Sequence, residues 1–280
     1  SAAGVAAEAV GGAGGALRRT LREPVQTTLT VLVLGVGIAA PAIMFSVVEG
    51  LTREASLEEP DRIVHVGRRF TPRIVGIAPL EWLWPGVLAV DAFESVGVYA
   101  HAWADLAGGD GPPDRVRIAR VTPGALEALA ARPALGRAFA PGDPTGEGAP
   151  VLLGWELWRS RFGADPGILG AAVRLDGARR VVVGVMPRGF DHPGGARVWT
   201  PLDPGDPGLA GAANHHAVGR LVEGATLEDA RAQVSALEAS LRDRGEELAP
   251  GRGLVAQLWK HKLMAPQDRR TLSLLVVLVG

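Results

Sequence analysis

From residue 27 to residue 48 the chain runs TTLTVLVLGVGIAAPAIMFSVV without one charged side chain. A helix of that run is about 33 Å long, the span of a bilayer hydrocarbon core of roughly 30 Å. Arg18, Arg19 and Arg22 precede it, where headgroups on the cytoplasmic side would receive them. Pro41 is tolerable inside a membrane helix, where kinks are common. The ten residues 271–280 (TLSLLVVLVG) form a second uncharged run, too short to span alone and read as the start of a second membrane helix. Lys260, Lys262, Arg269 and Arg270 precede that run, and a long translocated domain is largely exempt from the positive-inside count.

The first run also supports a competing reading. LTVLVLGVGIAA resembles a strand followed by Gly35-x-Gly37-x-x-Ala40, the glycine pattern of a dinucleotide-binding turn. Residues 62–66 would then be the second strand, with Arg68 and Arg69 near an NADP 2′-phosphate. Against it, residues 41–48 are apolar all round, whereas a crossover helix shows a polar face. Regular strand–helix alternation is also missing downstream.

The 280 residues suffice for a domain with a real core, and a net charge of −1 gives no pull toward nucleic acid. No cysteine is present, so disulfide frameworks, cysteine zinc sites and thiol catalysis are excluded. Between the uncharged runs the pattern is mixed α and β. Strands are expected at 62–66, 95–102, 115–121 and 216–222, and a helix shortened or kinked by Pro85 at 79–90. Residues 155–162 form an amphipathic helix with Gly163 placed to cap it. Strands 173–175 and 180–185 are joined by Asp176-Gly177, a hairpin signal, and Met186-Pro187 ends the second. Thr226 and Asp229 open a helix like a capping box, with Leu227, Ala230, Val234, Leu237 and Leu241 on one stripe. Strand–helix pairs near each end suit one α/β layer, with the hairpin region as an inserted β-rich lobe.

Leu157-Trp158-Arg159-Ser160-Arg161-Phe162-Gly163-Ala164-Asp165-Pro166, then Leu169-Gly170, resembles the lWxxrFGxDPxxlG stretch of MacB/FtsX-type ABC transporter permeases. Residues 182–190 resemble the VVGVMPxGF of that family, and Trp199-Thr200-Pro201-Leu202 its lWvPL. Pro60-Asp61-Arg62-Ile63-Val64 is similar to the segment following the first membrane helix, although Ala39-Ala40-Pro41-Ala42 departs from the usual GANTA. Order and spacing agree over residues 17–280, and the nearest resemblance is to duplicated orphan permeases of the acidobacterial type.

The resemblance implies an α+β extracytoplasmic domain with a porter-like α/β lobe and an inserted β-rich lobe. Residues 1–26 would be cytoplasmic, 27–51 the first membrane helix, and 52–268 the periplasmic core domain. The β-rich lobe would cover about 115–202, and 269–280 would begin the second helix. It implies a permease component in a bacterial inner membrane, its central domain outside. An ABC ATPase on a separate chain would drive it, with the bilayer and a second copy or permease half as further partners, and with no nucleic acid. Motion would pass from residues 17–23 through the first helix to the outer domain, for efflux, extraction or envelope regulation. A membrane-tethered binding module with no transporter role is the further alternative.

Chemistry is sparse. Neither lysine follows a glycine, so no Walker A loop exists, and Gly-x-Ser-x-Gly and His-Glu-x-x-His are missing. Asn214-His215-His216 suggests a metal site, but adjacent strand histidines point to opposite faces. His192 and His261 stand alone. Glu58-Glu59 and Glu246-Glu247 fall in polar turns, where solvation is expected. Trp82, Trp84, Trp103, Trp155, Trp158, Trp199 and Trp259 are assigned to core packing at apolar spacing. No catalytic, metal or cofactor residue is expected, and the chain is expected not to be an enzyme.

Overall fold

The computed structural model describes residues 57–70, 73–75, 80–109, 111–206, 215–246 and 253–260. Both uncharged runs, Gly35, Gly37, Asn214, His261 and residues 17–23 lie outside them. Among the described residues no helix is long and apolar enough to cross a membrane.

After a 3-10 turn at Pro60–Arg62 come β1 (Ile63–Phe70), β2 (Arg73–Val75), α1 (Leu80–Leu88), β3 (Phe93–Ala107), β4 (Asp114–Val121) and α2 (Pro123–Ala128). There follow β5 (Leu135–Gly136), β6 (Pro150–Leu153), α3 (Trp155–Phe162), a 3-10 turn at Pro166–Ile168, β7 (Ala172–Leu175), β8 (Ala178–Val185) and β9 (Val198–Pro201). β10 (His215–Leu221), α4 (Leu227–Asp243) and β11 (Leu254–Leu258) complete the order.

The strands form one hydrogen-bonded path, β11-β1-β10-β3-β4-β9-β6-β8-β5, with β2 on β1 and β7 on β3 and β8. β3 is 15 residues long: β4 pairs with Tyr99 to Leu106, and two further partners use different parts of the strand. Residues Phe93 to Ala100 pair with β10, and Leu106 and Ala107 pair with β7. β1 is antiparallel to both β10 and β11. That corrects the dinucleotide reading, in which the strand carrying Arg68 belongs to a parallel sheet. Among the described residues, parallel pairs are β4–β9 and β6–β8.

Burial explains why β1 lacks alternation: Ile63, Val64, His65 and Val66 are all buried, so both faces are covered. On one face Val64, Val66, Val98, Ala217 and Ala256 pack against Leu83 and Val87 of α1 and Ala230, Val234 and Leu241 of α4. On the other, Ile63, Tyr99, Val121, Val218 and Trp259 pack with Ala125, Leu126 and Leu129 from α2 and its end. A third cluster joins Val151, Leu153, Val182 and Val198 to Leu157 and Trp158 of α3. Complete burial of one such side chain contributes about 1.5–3 kcal/mol.

Local signals act as their chemistry dictates. Gly163 is left-handed at φ 62 and closes α3 by donating to the Trp158 carbonyl. Thr226 and Asp229 make a complete capping box on α4. Asp176 and Gly177, both at positive φ, turn β7 into β8. α1 continues through Pro85 and ends at Leu88.

Candidate functional site

The chain enters the sheet through β1 and leaves it through β11, and these strands are antiparallel neighbours with Val64 opposite Leu258. The incoming and outgoing segments therefore emerge at the same end of the sheet. A set of charged side chains fastens that end.

Glu59 is left-handed at φ 50, which turns the chain into Pro60–Arg62, and Leu57 is buried ahead of it. Arg62 donates from Nε and Nη2 to the Leu221 carbonyl at 3.1 and 2.6 Å, and to Glu59 and Glu94 at 2.9 and 2.7 Å. Desolvation works against the Arg62 charge, but the Glu94 and Glu59 carboxylates outweigh it and raise the guanidinium above its ordinary value. Lys260, two residues past β11, pairs with Asp61 and ties the outgoing segment to the same turn.

Arg220 of β10 is the buried member, 5% exposed. Its Nε donates to the Ala128 carbonyl of α2 at 3.1 Å, and its Nη2 to the Glu58 carbonyl at 2.9 Å. Its Nη1 reaches a Glu59 carboxylate oxygen at 3.3 Å, and Glu94 lies 4.0 Å from Nε. A buried guanidinium needs such partners, because an unpaired buried charge is strongly destabilising. Beside it lies a cavity of about 480 Å³, lined by Glu58, Glu59, Leu126, Glu127, Phe139 and Arg220 among others. Glu58 and Glu59 were expected to be simply solvated; both are exposed, yet Glu59 is bound to two arginines.

Next to this cluster, on the face covered by α2, sit aromatic and histidine rings. His65 Nε2 lies 3.2 Å from His216 Nδ1, and Tyr99 stacks on His216 with centroids 5.3 Å apart. His101 and Trp259 meet Tyr99 edge-on. Burial pushes the Tyr99 hydroxyl pKa well above its ordinary value. His215 and His216 divide as strand geometry requires: His216 joins these rings, and His215 is buried at the preceding position, the first of β10. His192 lies against Phe190 and Trp259, and its carbonyl accepts from Trp199 Nε1 at 2.7 Å. Among the described residues no three His, Asp or Glu side chains are arranged to hold a metal ion.

The tryptophans mostly pack as expected. Trp158, Trp199 and Trp259 are buried, and Trp84 and Trp155 half-buried. Trp103 is the correction: it is 53% exposed on β3, with the Arg117 guanidinium 5.1 Å from its ring centre. Its position on the strand beyond the reach of β10 and α2 leaves that face uncovered. Arg68 is buried in β1, where the strand pairs antiparallel with β11 and β2.

The family described as "MacB-like periplasmic core domain" matches residues 27–237. No curated protein matches the chain. Three solved structures share the fold. A domain of a putative permease protein from Porphyromonas gingivalis has a TM-score of 0.54 at 15% identity, covering 72% of this chain and 93% of that one. The periplasmic region of MacB from Actinobacillus actinomycetemcomitans has a TM-score of 0.54 at 12% identity, covering 79% and 95%. The extracellular domain of the noncanonic ABC-type transporter YknZ from Gram-positive bacteria has a TM-score of 0.50 at 15% identity, covering 70% and 99%.

Proposed function

The chain belongs to the family of MacB-like periplasmic core domains, and from that premise we propose that it is the first part of an ABC-type transporter permease that works mechanically. In this reading residues 27–51 anchor it in the inner membrane, residues 52–268 work outside, and 269–280 begin the return into the bilayer. ATP is hydrolysed on a separate chain. Its conformational cycle moves the outer domain, for efflux, extraction or regulation of envelope processes, with a second copy or permease half completing the assembly. The chain itself supplies no reaction chemistry.

The observation that carries the reading is the pairing of β1 with β11, reinforced by Asp61–Lys260. A domain inserted between two helices of one membrane needs its two ends side by side, and this sheet provides that arrangement. The 22-residue uncharged run ahead of it has the length a bilayer demands.

Alkaline carbonate extraction of membranes from cells making the natural protein tests the anchoring. The intact protein is expected to stay in the membrane pellet. Recovery in the supernatant would contradict the reading.

A further inference from the structure

Arg220 joins two elements that pack together through Leu57 and share no direct hydrogen bond among the described residues. On one side is the backbone of the incoming segment, at the Glu58 carbonyl; on the other is the C-terminal end of α2, at the Ala128 carbonyl. One guanidinium binds both, at 2.9 and 3.1 Å, and its remaining nitrogen reaches Glu59. The planar fork of arginine can meet acceptors on several elements at once, which a lysine ammonium on a flexible stem does poorly. The residue is 5% exposed, so solvent competes little for these bonds.

The neighbouring Arg62 shares Glu59 and Glu94 with Arg220 and differs in the backbone it binds. It binds Leu221 and Glu94 and fastens the turn to the sheet, and it makes no bond to α2 among the described residues. Glu58 and Glu59 of the incoming segment and Leu126 and Glu127 of α2 all line the cavity of about 480 Å³. Its width depends on how far apart those two elements stand, and Arg220 is bonded to both.

We infer that Arg220 is the positioning residue that transmits displacement of the incoming segment to α2, and so sets the width of the cavity that both line. This rests on the permease reading, in which the incoming segment is the one that moves. Displacements of packed elements in such transitions are on the order of 1–2 Å. An arginine bonded to two backbone carbonyls carries a shift of that size without breaking, because both bonds move with it.

The test uses the assembled transporter in its native membrane, and this chain contributes no native cysteine. Spin labels are placed at Glu58→Cys with Ser235→Cys, and separately at Glu127→Cys with Ser235→Cys. All three positions are exposed, and Ser235 lies on α4, which packs on the opposite face of the sheet. Distances are measured without nucleotide and with a non-hydrolysable ATP analogue. Both pairs are expected to shift, by on the order of 2 Å. In Arg220→Lys, which keeps the buried charge, the Glu58 shift should persist and the Glu127 shift should vanish. A Glu127 shift of wild-type size in that variant overturns the role of Arg220. No shift at Glu58 in the wild type overturns the permease reading, and the role of Arg220 with it. If Arg220→Lys does not reach the membrane, the wild type still decides: a Glu127 position that stays in place while Glu58 shifts overturns the inference.

Discussion

At Gly97, in the middle of β3, the backbone of α2 comes so close that there is no room for a side chain. A Cβ built there would lie 1.9 Å from the Ala125 nitrogen and 2.5 Å from its Cα. The opposing Gly124 shows the same closeness, its Cβ falling 2.3 Å from the Val96 carbonyl oxygen. Both obstacles are backbone and cannot rotate away. Ordinary contact needs about 3.5–4.0 Å, so in Gly97→Ala the helix must retreat by roughly 1.5–2 Å. A gap of even 0.5–1 Å forfeits roughly a quarter to a half of the dispersion well between facing atoms. Ala125, Leu126 and Leu129, all buried against this face, would lose contact together. The bond from Arg220 to the Ala128 carbonyl would be stretched as well. Overpacking usually costs about 1–3 kcal/mol, and with backbone on both sides we expect at least about 3 kcal/mol, the upper end of that range. For a domain of this size that lowers Tm by roughly 6–12 °C. Thermal unfolding of a fragment spanning residues 57–259, followed by circular dichroism, measures it. A Tm within about 2 °C of wild type, the shift expected for under 1 kcal/mol, would refute the close approach of α2 to β3.

Three further outcomes are expected. Gly163→Ala meets nothing within 4 Å, so its effect is the left-handed backbone alone: about 1 kcal/mol, or a Tm lower by roughly 2–4 °C, and an unchanged Tm would contradict the αL cap of α3. Tyr99 is the sole tyrosine of the chain and is fully buried, with its hydroxyl pKa raised, so that stability is present below the unfolded value of about 10 and declines as pH rises above it. Tyrosinate absorbance near 295 nm should therefore appear only together with unfolding of the domain; a titration near pH 10 in folded protein would contradict the burial. The hydrogen bond from Arg137 holds the Asp143 carboxyl below its usual range, against desolvation and aided by the Ala140 N–H. That contribution is present above the unfolded carboxylate value of about 3.9 and fades as pH falls through the lower folded value. The Tm difference between wild type and Asp143→Asn should thus be constant from about pH 7 to 5 and close below about pH 4; a difference that widens in acid would reverse the sign.

Sequence signals revealed the parts of this fold governed by neighbours along the chain. The helix at Trp155–Phe162 with its Gly163 cap, the Asp176-Gly177 hairpin and the Thr226–Asp229 box are each specified within a few residues. What was hidden depends on tertiary partners. β6 (Pro150–Leu153) is buried at all four residues and so lacks alternation, and the six-residue α2 is too short to show a helical period. β3 runs past its expected end at Ala102 because β4 pairs with it as far as Leu106 and β7, far along the chain, takes Leu106 and Ala107. The charged junction was invisible for the same reason: Arg62 and Glu94 are 32 residues apart, and Arg220 and Glu59 are 161. The nearest signal was Pro60-Asp61-Arg62, which carried the family resemblance without disclosing its partners. Trp103 was misassigned because apolar spacing on a strand does not say whether anything covers that face.

We propose that the sheet domain lies outside the inner membrane, held by both its ends. Thr145 is exposed in the loop between β5 and β6, and the chain has no cysteine, so Thr145→Cys gives it a single reporter. Cells making the natural protein with this change, their outer membrane permeabilised, are treated with a membrane-impermeant maleimide before and after lysis. Labelling of intact cells to the level seen after lysis is the predicted result. Labelling that appears only after lysis would put the domain in the cytoplasm and contradict the account.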